Sequence, residues 1–116
     1  NATLNRIIDS AVERIRKDEP DFQTFGVHDL RRTFSTSLNK AKFDERWIEL
    51  SLAHRPRNTI AATYNVAKYA TERRIMLQCW ADMVDCWING NSARDVIAEA
   101  KRKAADVLDL EVDEDL

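Results

Sequence analysis

The stretch TERRIMLQCWADMVDCWING, residues 71–90, decides the fold. Ile75, Met76, Cys79, Trp80, Met83, Val84 and Trp87 recur at steps of three and four, the spacing that gathers side chains on one face of an α-helix. Thr71 is placed to cap this helix, and Gly90 to end it. Beyond Gly90, Ser92 starts a final helix carrying Val96, Ile97, Ala100, Ala104, Val107 and Leu108 as its apolar stripe, with an acidic stretch, 110–116, expected to be unstructured.

The same periodicity extends toward the N-terminus. Leu4, Ile7, Ile8, Ala11, Val12 and Ile15 predict an amphipathic helix to about Arg16, and residues 17–27 read as a loop. A second helix is expected over 28–40, burying Leu30, Phe34 and Leu38. Asp44 caps a third, which turns Trp47, Ile48 and Leu52 inward and breaks at Arg55-Pro56-Arg57-Asn58. Residues 59–69 are weakly helical. With two glycines and two prolines in 116 residues, the turns that a β-sandwich or barrel needs are missing. The expectation is all-α, a compact bundle of about five helices forming one domain over 1–109, with 110–116 as tail. No apolar run approaches the length of a membrane span, no signal-peptide pattern opens the chain, and the first residue is Asn1, as in a piece of a longer protein.

The formal net charge of −2 averages two opposite regions. Residues 28–74 hold ten basic residues against five acidic ones, whereas 105–116 hold six acidic residues and no basic ones. A basic middle suits a polyanion partner, although solvated helix faces would give the same counts. Cys79 and Cys86, seven apart on one helix, have α-carbons about 10 Å apart, too far for a disulfide. They read as reduced thiols in a cytoplasmic protein, without the spacing of a zinc site. No metal and no cofactor is expected.

Four side chains carry chemistry that the core does not need. His28 and Arg31 project from one face of a helix start, where unpaired N–H groups favour phosphate. His54 closes the third helix, and Tyr64 follows ten residues later. Singly, each has a plain explanation: a chance His-x-x-Arg pair, a histidine favoured by the helix dipole, a half-buried tyrosine. Together, their order and flanking words are specific.

His28-Asp29-Leu30-Arg31-Arg32-Thr33-Phe34, then Ile48-Glu49-Leu50-Ser51-Leu52-Ala53-His54, then Thr63-Tyr64-Asn65, resemble the tyrosine recombinase (phage integrase) family: its His-x-x-Arg box, its Leu-Gly-His box with Ala53 for glycine, and its nucleophilic tyrosine. Glu72-Arg73-Arg74, Met76-Leu77 and Trp80-Ala81-Asp82 are similar to the prophage-integrase branch. The resemblance covers roughly 28–87, about half the chain. It implies that Tyr64 attacks a phosphodiester of double-stranded DNA to give a 3′-phosphotyrosyl link. Arg31, His28 and His54 would hold the scissile phosphate, and no metal or ATP would be used. Tyr69 is the rival nucleophile. The family also uses an arginine and a β-hairpin lysine well upstream, and only 27 residues precede His28. The resemblance therefore implies the C-terminal part of a catalytic domain, inactive alone, that works with other protomers in a tetrameric synapse. The helix at 92–108 could dock in cis or on a neighbour.

Two other readings remain open. Residues 28–40 and 44–54 could form a helix-turn-helix-like DNA-binding module without catalysis; it would leave His54 and Tyr64 unused and place Glu45 and Glu49 toward phosphate. A plain helical interaction domain is the third reading, with Trp80 and Trp87 expected mostly in the core.

Overall fold

The computed structural model describes residues 2–52 and 68–115. Among them lie five helices and no strand: α1 (Ala2–Arg16), α2 (Val27–Lys40), α3 (Glu45–Ser51), α4 (Ala70–Ile88) and α5 (Arg94–Asp115). The all-α expectation holds. The chain divides into two compact units, Asn1–Thr36 and Ser37–Leu116, with the boundary inside α2.

In the first unit, α1 buries Ile8 and Val12, one helical turn apart, while Leu4 and Ile7 stay exposed. The inward stripe is therefore narrower than the apolar residues alone suggest. Past α1 the chain is held by the Arg16 Nε donating to the Phe22 carbonyl at 3.0 Å. The rings of Phe22 and Phe25 meet edge to face, 6.3 Å between centroids. Leu30, expected inside, is 50% exposed. Each four-residue step turns a helical side chain by about 40°, so Leu30 has rotated away from the line that buries Leu38.

The second unit is built on α4 and α5, joined by residues 89–93, with α3 packed on α4. Its core comprises Leu38, Phe43, Trp47, Ile48, Leu52, Met76, Cys79, Met83, Ala93, Ala100 and Ala104. The alanines of α5 admit the larger α4 residues, and the Cys79 Sγ–H reaches the Val96 carbonyl at 3.7 Å. Cys79 and Cys86 are both free thiols on α4.

Two helix ends show the same closing motif. The Lys42 N–H bonds the Asn39 carbonyl and the Phe43 N–H the Leu38 carbonyl, at 3.0 and 3.1 Å, with Lys42 left-handed at φ 66°. At the end of α4, Gly90 (φ 73°) and Asn91 bond the Trp87 and Cys86 carbonyls at 3.0 and 2.8 Å. Both are Schellman closures. In the first, Phe43 and Leu38, the two residues joined by the closure, are both buried.

Three further expectations change. α4 begins at Ala70 with left-handed Tyr69 as its N-cap, two residues before the start that Thr71 would give, because the Arg73 N–H bonds the Tyr69 carbonyl at 2.8 Å. Trp80 is half-buried and Trp87 is 46% exposed. Trp87 stands in the last turn of α4, where the chain reverses, and meets Trp80 edge-on at 5.7 Å. Finally, α5 runs to Asp115, past Leu108 where the apolar stripe had placed its end. No Gly or Pro interrupts residues 94–115.

Candidate active site

α2 starts on Gly26, whose carbonyl accepts from the N–H groups of Asp29 and Leu30 at 3.1 and 3.3 Å. The Asp29 carboxylate reaches back to the Gly26 N–H at 2.8 Å, the reciprocal half of a capping box. Its other oxygen lies 3.9 Å from the Arg32 guanidinium, and the Thr33 hydroxyl donates to the Asp29 carbonyl at 2.8 Å. These contacts fix the first turn without using His28.

His28 and Arg31 are both exposed on this turn. Three residues apart on a helix, they are side-by-side neighbours, about 5–6 Å between β-carbons. The Asp29 and Leu30 N–H groups are taken by the Gly26 carbonyl, which leaves those of Val27 and His28 at the positive end of the helix dipole. An anion approaching there meets an imidazole, a guanidinium fork and main-chain donors together. Such a set can bind a phosphodiester and stabilise charge growing on its oxygens. His54 and Tyr64 lie outside the described residues. The structure thus brings together His28 and Arg31 of the four candidates.

Next to the undescribed stretch 53–67, the side chains on either flank are well held. Before it, the Asp44 side chain caps α3 by accepting from the Arg46 N–H at 2.9 Å. The same carboxylate takes a forked pair from the Arg46 guanidinium at 3.0 and 2.7 Å. That hydrogen bonding holds the Asp44 carboxyl below its usual range despite partial burial. After the stretch, Tyr69 rests against Trp47. The Arg46 guanidinium stands 5.0 Å from the Tyr69 ring centre and the Lys68 ammonium 5.2 Å. In the sequence Tyr69 reads only as a rival nucleophile; the cationic pair around it has no signature in residue spacing.

A second feature without a sequence signal is Glu72. It is 1% exposed on the Met76–Cys79–Met83 side of α4, and its Oε1 has no hydrogen-bond partner among the described residues. The Trp47 Nε1 is likewise buried and unpartnered. Among the described residues no cluster of His, Cys, Asp and Glu could hold a metal ion, and no helix is long and apolar enough to cross a membrane.

The described residues present an all-α arrangement with a His-x-x-Arg pair on a capped helix start, and comparison with known proteins shows what the chain is similar to. It is related to the phage integrases (tyrosine recombinases). It is 45% identical over 65 residues to the prophage integrase IntZ of Escherichia coli, covering 55% of this chain and 16% of that protein. The prophage integrase IntA of Escherichia coli is 41% identical over 64 residues, again 55% of this chain and 16% of the relative. The integrase of Shigella phage Sf6 is 40% identical over 58 residues, 50% of this chain and 15% of the relative. The match therefore spans less than a fifth of the length of these curated relatives. No protein-family model and no solved structure matches the chain.

Proposed function

We propose that the chain is the C-terminal part, over 1–109, of the catalytic domain of a site-specific DNA recombinase that integrates prophage DNA. The observation that carries this reading is the exposed His28–Arg31 pair on the capped first turn of α2, in a chain related to integrases. In the proposed reaction the Tyr64 hydroxyl oxygen attacks a backbone phosphorus. The bond to the 5′ oxygen breaks, a 3′-phosphotyrosyl link forms, and the departing 5′ oxygen takes up a proton. Attack by a 5′-hydroxyl on that link reverses the step and releases the tyrosine. The phosphate bond energy is kept in the covalent intermediate, so neither ATP nor a metal is required.

Arg31 would clamp the non-bridging oxygens, staying charged throughout. His28 would hydrogen-bond the phosphate and help receive the tyrosine proton, since an unperturbed tyrosine titrates near pH 10. His54 would add a further donor. The upstream arginine and lysine would come from the remainder of the protein, and loss of one such charge clamp costs about 10²–10³ in rate. The chain alone is accordingly proposed to be inactive. Its partners would be attachment-site DNA and further protomers in a tetrameric synapse, in the cytoplasm.

Two observations favour this over a helix-turn-helix module. α3 is only seven residues long, and it buries Trp47 and Ile48. Its one basic side chain, Arg46, is engaged by Asp44. Little of it is left to read base edges. Tyr64 is kept as the proposed nucleophile over Tyr69 because its spacing from His54 fits the family better, and Tyr69 packs on Trp47.

The test uses the full-length parent protein and a nicked suicide substrate carrying its attachment site. A covalent protein–DNA adduct on a denaturing gel that disappears in Tyr64→Phe and persists in Tyr69→Phe is expected. Specific DNA binding without adduct, or an adduct that survives Tyr64→Phe, would overturn the assignment.

A further inference from the structure

At the far end of α2 from His28, a groove of about 610 Å³ opens between the α2–α3 connection, the end of α4 and the start of α5. All of its walls belong to the second unit. Lys40, Lys42 and Arg94 stand around it, and no carboxylate is among the described residues that line it. None of the three cations is in an ion pair among the described residues. The floor is apolar: buried Met83, half-buried Ile97 and the open face of Trp87. Ile88, beside Trp87 in the chain, is the most exposed large hydrophobic residue described, at 76%.

The rest of α4 and α5 is different. A second groove, of about 430 Å³, is lined by both signs: Arg74 and Lys103 with Asp82, Asp95 and Glu99. One-signed charge above an apolar floor is thus local to the Lys40–Lys42–Arg94 groove. A chain this acidic in total places three unpaired cations together only there among the described grooves.

We infer that this groove is a docking site for an acidic, amphipathic peptide segment of a partner protein, with carboxylates meeting Lys40, Lys42 and Arg94 and an apolar side chain seated against Met83 and Trp87. The cations alone would suit a nucleic-acid backbone equally. The floor decides for peptide over duplex DNA, because the backbone of a duplex, with its bases stacked inside, has no apolar group to bury against a methionine and a tryptophan. A partly exposed tryptophan sharing a groove with three cations is the kind of anchor that dominates protein–protein affinity. The rim charges would set the rate and salt dependence of encounter. The groove shares no residue with the His28–Arg31 pair and does not depend on the recombinase reading.

The experiment titrates the 116-residue chain with a short fluorescein-labelled peptide of glutamate and leucine, patterned to be amphipathic as a helix. A glutamate–serine peptide of equal charge and a DNA duplex of arbitrary sequence are run in parallel. The glutamate–leucine peptide is expected to bind, and to perturb the backbone amide resonances of Lys42, Trp87 and Arg94. Affinity should fall about tenfold or more in the double variant Lys40→Glu, Arg94→Glu. Both sites are exposed, and circular dichroism verifies that the variant keeps its helices. Three results would overturn the inference: no binding to the wild-type chain, equal binding of the glutamate–serine peptide, or perturbation of these resonances by the duplex but not by the peptide.

Discussion

The Tyr69 ring lies 6.3 Å from that of Trp47, tilted by 48°. The residue that opens α4 is thereby held against the middle of α3, across the stretch 53–67. Tyr69 sits at φ 60° to do this, a conformation that costs a side-chain-bearing residue about 1–2 kcal/mol. Packing on Trp47 and the two cations offsets that cost. Tyr69→Phe keeps the ring and should change stability by less than about 0.5 kcal/mol. Tyr69→Ala should lose about 1–2 kcal/mol in urea unfolding, since the ring is only half-buried.

Glu72 gives a prediction of opposite sign. Its carboxylate is enclosed, and Oε1 is unpartnered among the described residues. Desolvating such a group is costly, and replacing it with an apolar residue of similar volume removes the cost. Glu72→Met should raise the free energy of unfolding by about 1 kcal/mol or more, with no loss of helix by circular dichroism. A drop in stability would show that the carboxylate has a partner.

Asp44 links stability to acid. Hydrogen bonds from Arg46 depress its carboxyl below 3.8, the ordinary value. The stabilisation is present above that value and is lost as pH falls through the lower folded one. Asp44→Ala should cost about 1 kcal/mol at neutral pH, as cap removals do. The difference from wild type should shrink toward pH 3. Equilibrium unfolding at several pH values measures both.

The two thiols should separate chemically. Burial pushes the Cys79 thiol up from 9.0 to about 11, whereas Cys86 is only half-buried. A thiol reagent at neutral pH should label Cys86 first and reach Cys79 only on unfolding. Because the folded state resists the Cys79 thiolate, stability should fall as pH rises from 9 toward 11. Mass spectrometry of partially labelled protein separates the sites.

Lys42 closes α2 in a conformation suited to glycine. Lys42→Gly should stabilise the chain by up to about 1 kcal/mol by removing the β-carbon clash. Thermal melts of the two proteins provide the comparison.

These residues also mark what the sequence discloses. The helix under Met76, Cys79 and Met83 is legible because its period is long and regular, and Asp44 and Gly90 announce their ends by residue type. Lys42 and Tyr69 do not. A left-handed lysine or tyrosine is imposed by the packing of Phe43 or Trp47 and leaves no mark on local preference. Glu72 is hidden for a related reason, because a glutamate on a helix is normally solvated and only the third dimension encloses it. Of the candidate site, the His28–Arg31 pairing follows from helical spacing alone. His54 and Tyr64 rest on family resemblance, since no periodicity connects them to α2.

The short connection between α4 and α5 has a kinetic consequence. Two helices joined by residues 89–93 form an αα-hairpin whose facing residues are close along the chain, so little loop entropy opposes their meeting. α3 must instead find α4 across residues 53–67. The expected order of assembly is the hairpin first and α3 afterward. The Trp47–Tyr69 contact would then form late, so mutations there should quicken unfolding more than they slow folding.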